Sequence, residues 1–286
     1  KHEERGIEIF KNIVKNNDID LTKEDVKKIV NMISPPKRLQ NNWYYQIIAN
    51  KINQIDVDKV DYILRDCYHL GMKCGGEYER LLTLAKVKRC DGFDMICWPE
   101  KVQYDIFTLF SNRYKLHKQV YNHHATKACE FILIDMLKKI QKKQPIFLNL
   151  TDSIVTCRLY SEKGFLNLQN KLIKRRHDRL VKELVITNKH YISKKQEVNE
   201  YLKTVKDFKY IETKIGFVSS DEDSPMNNVY YYNNSDKGYK INSIETSFMI
   251  PQQYREIVVR LYTNYKNKDN CKNIKVWENI KEILKS

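Results

Sequence analysis

Apolar residues recur at intervals of three and four along most of the chain and alternate in only a few short stretches, so helices are expected to dominate. The first stripe is Ile7, Phe10, Ile13 and Val14. Thr22 reads as an N-cap with Asp25 three residues on, ahead of Val26, Ile29, Val30 and Ile33, and Ser34-Pro35-Pro36 stops that helix. A further helix is expected over Trp43–Asn50, with Trp43, Ile47 and Ile48 inward. The stretch Ile55–Gly71 carries Val60, Ile63, Leu64, Cys67 and Leu70 on one face and ends on a glycine in the C-cap region. Next come a helix over Tyr78–Val87 with Leu81, Leu82 and Leu84 inward, and an alternating run (Val87, Cys90, Phe93, Met95, Cys97) that predicts a hairpin about Asp91-Gly92, closed by Pro99.

The second half follows the same logic. Helical spacing extends over Glu100–Thr126 (Val102, Ile106, Phe107, Phe110, Leu116, Val120) and Ala125–Gln141, breaks at Pro145–Asn149, and returns over Leu150–Leu184. After Tyr201 the composition shifts. Strands are expected at Tyr210–Val218, Val229–Tyr232 and Tyr239–Ile244, separated by the acidic loop Ser219–Asn228 and the turn Asn233–Gly238. Pro251 is expected to start a helix with Tyr254, Ile257, Val258 and Leu261 inward, and a last helix to run over Asn273–Leu284. The fold class is therefore mainly α with a small α+β lobe at the C-terminal end, and the expected division is 1–143 and 144–286.

Two polar stripes stand out against this background. Asp58, Tyr62 and Asp66 fall at i, i+4 and i+8, and so do Arg113, His117 and Tyr121, so each trio shares one helical face. By periodicity alone such a stripe is more often a solvated face than a site. Together the two supply carboxylates, a guanidinium, an imidazole and phenols, the groups that a nucleoside triphosphate asks for.

Composition narrows the field. Charged residues make up 30% and apolar ones 42% of 286 residues, with 8 Gly and 6 Pro, which fits a folded, largely helical protein. The apolar runs fall short of the ~20 residues that a membrane span needs. The formal net charge of +15 favours polyanionic partners, or reflects a lysine-rich surface. The basic cluster Lys171–Arg176 reads as a nuclear address, a phosphate patch or a solvated helix face. Seven scattered cysteines, an odd count without a signal peptide, read as reduced thiols in cytoplasm or nucleus. The spacings Cys67-x6-Cys74 and Cys90-x6-Cys97 are longer than those of zinc knuckles, so these thiols are expected to be buried. The chain opens on Lys1-His2-Glu3-Glu4 without a methionine, which suggests part of a longer protein.

The stretch Asp56-Val57-Asp58-Lys59-Val60-Asp61-Tyr62 through Arg65-Asp66-Cys67 and His69-Leu70-Gly71 resembles the signature helix of the SAM-and-HD-domain deoxynucleoside triphosphate triphosphohydrolases, a family of the HD superfamily. A second anchor is Phe110-Ser111-Asn112-Arg113-Tyr114-Lys115-Leu116-His117-Lys118-Gln119-Val120-Tyr121. The resemblance implies a helical HD-type phosphohydrolase domain whose N-terminal part lies before residue 1. It implies cleavage of a dNTP to deoxynucleoside and triphosphate, with Asp58 as the last ligand of a divalent metal (Mg, Mn, Fe or Zn) whose other ligands lie upstream. Lys59 and Arg113 would hold phosphates, Tyr62 and Asp66 the 3′-hydroxyl, and Tyr121 the sugar or base. His117 and His2 would act at the phosphates, His2 as a catalytic group. Arg80 and Lys101 would belong to a regulatory GTP or dNTP site, where Pro99 replaces an expected basic residue. Homo-oligomerisation (dimer or tetramer) is also implied; single-stranded nucleic acid is a further candidate partner, and no membrane is expected from the short apolar runs. His177-Asp178 spells the superfamily's doublet in the wrong order along the chain and is read as surface on a charged helix. With the upstream ligands missing, this polypeptide alone is expected to be inactive, and the alternative is a degenerate homologue that binds nucleotide, single strands or a partner subunit.

Overall fold

The computed structural model describes residues 2–143, 148, 150–186, 191–218, 224–234, 237–241, 254–267 and 269–285. It is mostly helical with a smaller sheet component, as the spacing predicts. The chain divides into two compact units, Lys1–Leu116 with Gly216–Tyr254, and His117–Ile215 with Arg255–Ser286. No helix among the described residues is long and apolar enough to cross a membrane.

In the first unit, α1 (His2–Asn16) and α2 (Lys23–Ile33) precede α3 (Val57–His69), α4 (Tyr78–Leu84) and α5 (Gln103–Leu116). The expected capping box opens α2: the Thr22 hydroxyl accepts from Asp25 N, and the Asp25 side chain accepts in return from Thr22 N. α3 ends as its glycine requires. Gly71 has φ +62°, Gly71 N donates to Tyr68 O at 3.2 Å and Met72 N to Cys67 O at 2.9 Å, the paired bonds of a Schellman motif. Val60, Ile63 and Cys67 are buried, but Leu64 and Leu70 are exposed, because the face covered by α5 is narrower than the apolar set.

The expected helix over Trp43–Asn50 is only a 3-10 turn, Trp43–Gln46. Trp43 and Ile48 lie exposed, while the polar Gln46 and Asn50 turn inward. Hydrogen bonds decide this: Gln46 Nε2 donates to Gln40 O at 3.0 Å and Gln46 Oε1 accepts from Ile96 N at 3.2 Å, so burial costs the amide little. In α4, Leu81 is buried and Leu82 exposed.

The hairpin forms where alternation placed it, β1 (Lys86–Cys90) antiparallel to β2 (Phe93–Pro99), with Asp91 at φ 49° and Gly92 at φ 84° in the two-residue turn. β5 (Tyr230–Tyr232) adds parallel to β2, and β6 (Tyr239–Lys240) antiparallel to β5. The order is thus β1-β2-β5-β6, and a bridge from Arg89 to Lys237 returns the outer edge to β1. Gly238 sits at that closure. A Cβ there would collide with the Cys90 and Cys97 sulfurs, so this position has no room for a side chain.

In the second unit a π-helical turn, His117–Tyr121, follows the end of α5. The expected single helix over Glu100–Thr126 is therefore interrupted, and α6 (His124–Lys143) starts afresh. The long helical expectation over Leu150–Leu184 resolves into α7 (Asp152–Ser161), α8 (Leu166–Ile173) and strand β3 (Arg179–Ile186). His177 and Asp178 consequently lie on no helix. They occupy the link before β3, half-buried, with Asp178 paired to Lys209 at 2.8 Å. The basic cluster straddles the end of α8, and the Arg176 guanidinium lies over the Tyr265 ring at 6.0 Å.

β4 (Phe208–Gly216) overlaps the strand expected over Tyr210–Val218, beginning and ending two residues earlier. The helix expected after Pro251 does not form: Arg255–Thr263 is strand β7, central in a sheet of order β3-β7-β4. Ile257, Val258, Val259, Leu261 and Tyr262 are all buried, because both faces of a central strand are covered, and such a run mimics helical spacing. Val198 and Leu202 of α9 (Lys195–Val205) and Val276, Trp277 and Ile280 of α10 (Asn270–Lys285) pack with Ile257, Val259 and Leu261 in one core. Tyr262 faces the other way, its hydroxyl donating to His124 O at 3.1 Å and its ring meeting Phe131 edge-on. Most of the break at Pro145–Asn149, the acidic residues 219–223, the strand end at Ile244 and the helix start at Pro251 lie outside the described residues.

Candidate functional site

The start of α3 is fixed by a set of buried side-chain amides. Asn50, 1% exposed, accepts through Oδ1 from Ile52 N at 3.0 Å and donates through Nδ2 to Ile55 O at 3.2 Å, while Asn53 Oδ1 accepts from Ile55 N at 3.0 Å. Asp56 is the N-cap. Its two oxygens accept from Lys59 N at 2.9 Å and from Asn50 N at 3.0 Å. Burial raises the pKa of Asp56, and the two backbone N–H bonds oppose that shift. This turn presets which way the next residues face, Asp58 outward and Lys59 inward.

Lys59 is 6% exposed and its ammonium lies 5.9 Å from the centre of the Phe110 ring. Burial, and after it the Arg113 charge, lowers its pKa to about 8, against the pull of Asp56 and Asp58. Arg113 is likewise 6% exposed, donates through Nη1 to Gly216 O and is hydrogen-bonded to the Tyr62 hydroxyl. Tyr62 is half-buried, with its pKa pushed up to about 12, chiefly by burial. An aromatic group holds α5 in place: the Phe217 ring is stacked with Phe110 at 6.4 Å and meets Phe107, Tyr114 and Tyr254 at 5.8, 6.2 and 5.6 Å.

The structure thus brings Asp58, Lys59, Tyr62 and Arg113 into one electrostatic neighbourhood, with Asp66, half-buried, one turn further along the same stripe. The other predicted residues have surroundings of their own. His2 opens α1 with a side chain 92% exposed, 3.4 Å from Glu3. His117 and Tyr121 belong to the second unit, where their rings meet edge-on at 4.9 Å. Arg80 is paired with Asp105 at 2.9 Å and Lys101 is exposed in the 3-10 turn Glu100–Val102. The sequence reading missed Asp56, Asn50 and Gly216. An Asx-rich run just before a helix was the available signal for the first two, whereas a backbone carbonyl far along the chain leaves none.

A divalent metal needs three or four protein ligands. Among the described residues no group of three His, Cys, Asp or Glu side chains could hold one. Asp58 by itself does not fit a resident metal, and no chemical step is derived through one.

No family model matches the chain. Curated relatives do. The Dictyostelium discoideum deoxynucleoside triphosphate triphosphohydrolase SAMHD1 homolog is 28% identical over 96% of this chain and 56% of its own length. The Danio rerio and Homo sapiens proteins named deoxynucleoside triphosphate triphosphohydrolase SAMHD1 are each 25% identical, over 92% and 91% of this chain and 52% and 51% of theirs. These matches support a likeness to the SAMHD1-like HD-domain dNTP triphosphohydrolases. A putative HD domain-containing protein of Acanthamoeba polyphaga mimivirus is 31% identical over 49% of the chain. The chain spans about half the length of the curated SAMHD1 relatives it matches.

Proposed function

We propose that the α3 and α5 surface of the first unit holds the phosphates and sugar of a deoxynucleoside triphosphate, as part of a dNTP triphosphohydrolase. The observation that carries this reading is the neighbouring pair of buried cations, Lys59 and Arg113. Two like charges in a desolvated place repel, and an anion set between them turns repulsion into attraction; at an effective dielectric of 20 each contact at about 4 Å is worth about 4 kcal/mol. Lys59 supplies a point charge and Arg113 a planar fork, which suit a chain of phosphates. Tyr62 and Asp66, on the same stripe, are assigned to the 3′-hydroxyl, where crowding excludes a 2′-hydroxyl. Asp58, exposed at the head of the stripe, is assigned as a metal ligand that others must complete. Regulatory nucleotide binding at Arg80 and Lys101 and homo-oligomerisation belong to the same proposal.

A second reading, a chain that binds the nucleotide without hydrolysing it, draws on the lack of a three-ligand group among the described residues. One experiment separates the two. Release of triphosphate from dGTP is measured with Mn²⁺ or Mg²⁺ for the parent, Asp58→Asn and Asp178→Asn. Hydrolysis lost in Asp58→Asn and kept in Asp178→Asn supports the triphosphohydrolase. Binding of dGTP without turnover supports the second reading, and absence of binding, or binding that survives loss of both Lys59 and Arg113, overturns both.

A further inference from the structure

The second unit contains a cavity of about 390 Å³ between the sheet and the first turn of α10, lined among others by Arg179, Lys182, Thr263, Asn267, Asn270 and Asn273. Its size falls within the range of small-ligand sites. What brings the two cations together is an irregularity in β3. Arg179 pairs with Thr263 and Lys182 with Leu261, and the register shifts between Leu180 and Lys182. Residues three apart on a regular strand face opposite ways; one extra residue restores a common face, and Thr263 and Leu261, two apart on β7, show which face it is. Leu261 packs into the core beneath α10. The bulge therefore turns Arg179 and Lys182 to the α10 side.

Neither cation forms an ion pair with a described residue. The nearby carboxylates are engaged: Asp178 with Lys209 at 2.8 Å, Glu183 with Arg260, and Asp269 as a cap on Lys272 N at 2.9 Å. Asn273, 7% exposed, lines the same cavity; its Oδ1 accepts from Asn267 Nδ2 at 3.2 Å, and its own Nδ2 donates to no described residue. Two cations and a side-chain amide donor, with no acidic residue in the lining, suit an acceptor that brings negative charge.

We propose that this cavity is a binding site for a small phosphate-bearing anion, held by Arg179, Lys182 and the Asn273 amide. It is independent of the α3 surface of the first unit and stands whether or not that surface binds a dNTP. The test uses the full chain carrying Lys59→Met, which removes a cation from the other candidate site, titrated calorimetrically with inorganic pyrophosphate at roughly 50 mM salt, where screening is weak. The expected result is one bound pyrophosphate per chain, weakened roughly tenfold per cation removed in Arg179→Ser/Lys182→Ser and unchanged in Lys203→Ser, an exposed lysine on α9. Asn273→Asp, which keeps the shape and sets a carboxylate in the cavity, abolishes binding while far-UV circular dichroism stays that of the parent. Displacement of pyrophosphate by a nucleoside diphosphate identifies a nucleotide tail as the source of the anion; failure to displace it identifies free phosphates, and both keep the site. No binding to the Lys59→Met chain, or equal binding by the double variant, overturns the proposal.

Discussion

Lys59 is the residue whose replacement most directly separates stability from binding. Its pKa falls from 10.5 to about 8 in the folded chain. At 1.36 kcal/mol per unit, holding it charged costs the fold about 3 kcal/mol. The sign follows from the direction: the folded state binds the proton less tightly than the unfolded one, so the cost is fully present below pH 8, shrinks as pH rises from 8 towards 10.5, and is absent above that. Lys59→Met keeps the length of the side chain beside Phe110 and removes the charge. The variant should be more stable than the parent by roughly 1–3 kcal/mol at pH 7, and should bind dGTP more weakly, the trade expected where a site stores repulsion for its ligand. Urea denaturation of parent and variant at pH 7, 8, 9 and 10 measures the difference directly, with the slope m checked for constancy. Taking the difference cancels the titration of the raised tyrosines, which both proteins share. A variant less stable than the parent at pH 7, or a gap that stays constant up to pH 10, would refute the claim that Lys59 is held charged at the fold's expense.

Other consequences are checked as simply. A triphosphate bound beside Lys59 should restore its pKa upward, so dGTP binding at pH 8.5 to 9 takes up a fraction of a proton and binding at pH 7 takes up almost none; calorimetry in buffers of different ionisation enthalpy reads this, and equal uptake at both pH values counts against a phosphate next to Lys59. Gly238→Ala drives a methyl into the Cys90 and Cys97 sulfurs and should cost about 1–3 kcal/mol in a thermal or urea melt, whereas Gly164→Ala, which meets nothing, should be near neutral. Asp56→Ala removes the α3 cap and should cost about 1 kcal/mol while also weakening dGTP binding, since Lys59 then loses its fixed direction.

Much of the first unit was legible because local chemistry and tertiary packing agree there. Thr22 and Asp25 cap, Gly71 takes a positive φ, Asp91-Gly92 turns a hairpin, and in each case the residues involved need only their neighbours in sequence. The failures occur where packing overrules spacing. The Ile257–Leu261 run suits a helix or a doubly covered strand equally, and only β3 and β4 on either side decide for the strand. The π-helical turn at His117–Tyr121 breaks the 3.6-residue phase on which the second stripe depended, so the trio Arg113, His117 and Tyr121 is not a stripe on one regular helix.

The candidate site shows the same division. Asp58, Tyr62 and Asp66 could be grouped from one helix, because a helix carries its own ruler. That Arg113 would meet Tyr62 depends on α5 crossing α3, and on a carbonyl at Gly216 that sits 103 residues from the guanidinium it accepts from. The charge state of Lys59 depends on both. A stripe in sequence thus names the residues available, while the long-range contacts set their protonation, and protonation is what tells an anion site from a wet helix face. If Lys59 titrated as an ordinary exposed lysine, the α3 surface would be only a solvated face with an Asp-Lys-Asp pattern, and the phosphate-binding role would lose its physical ground.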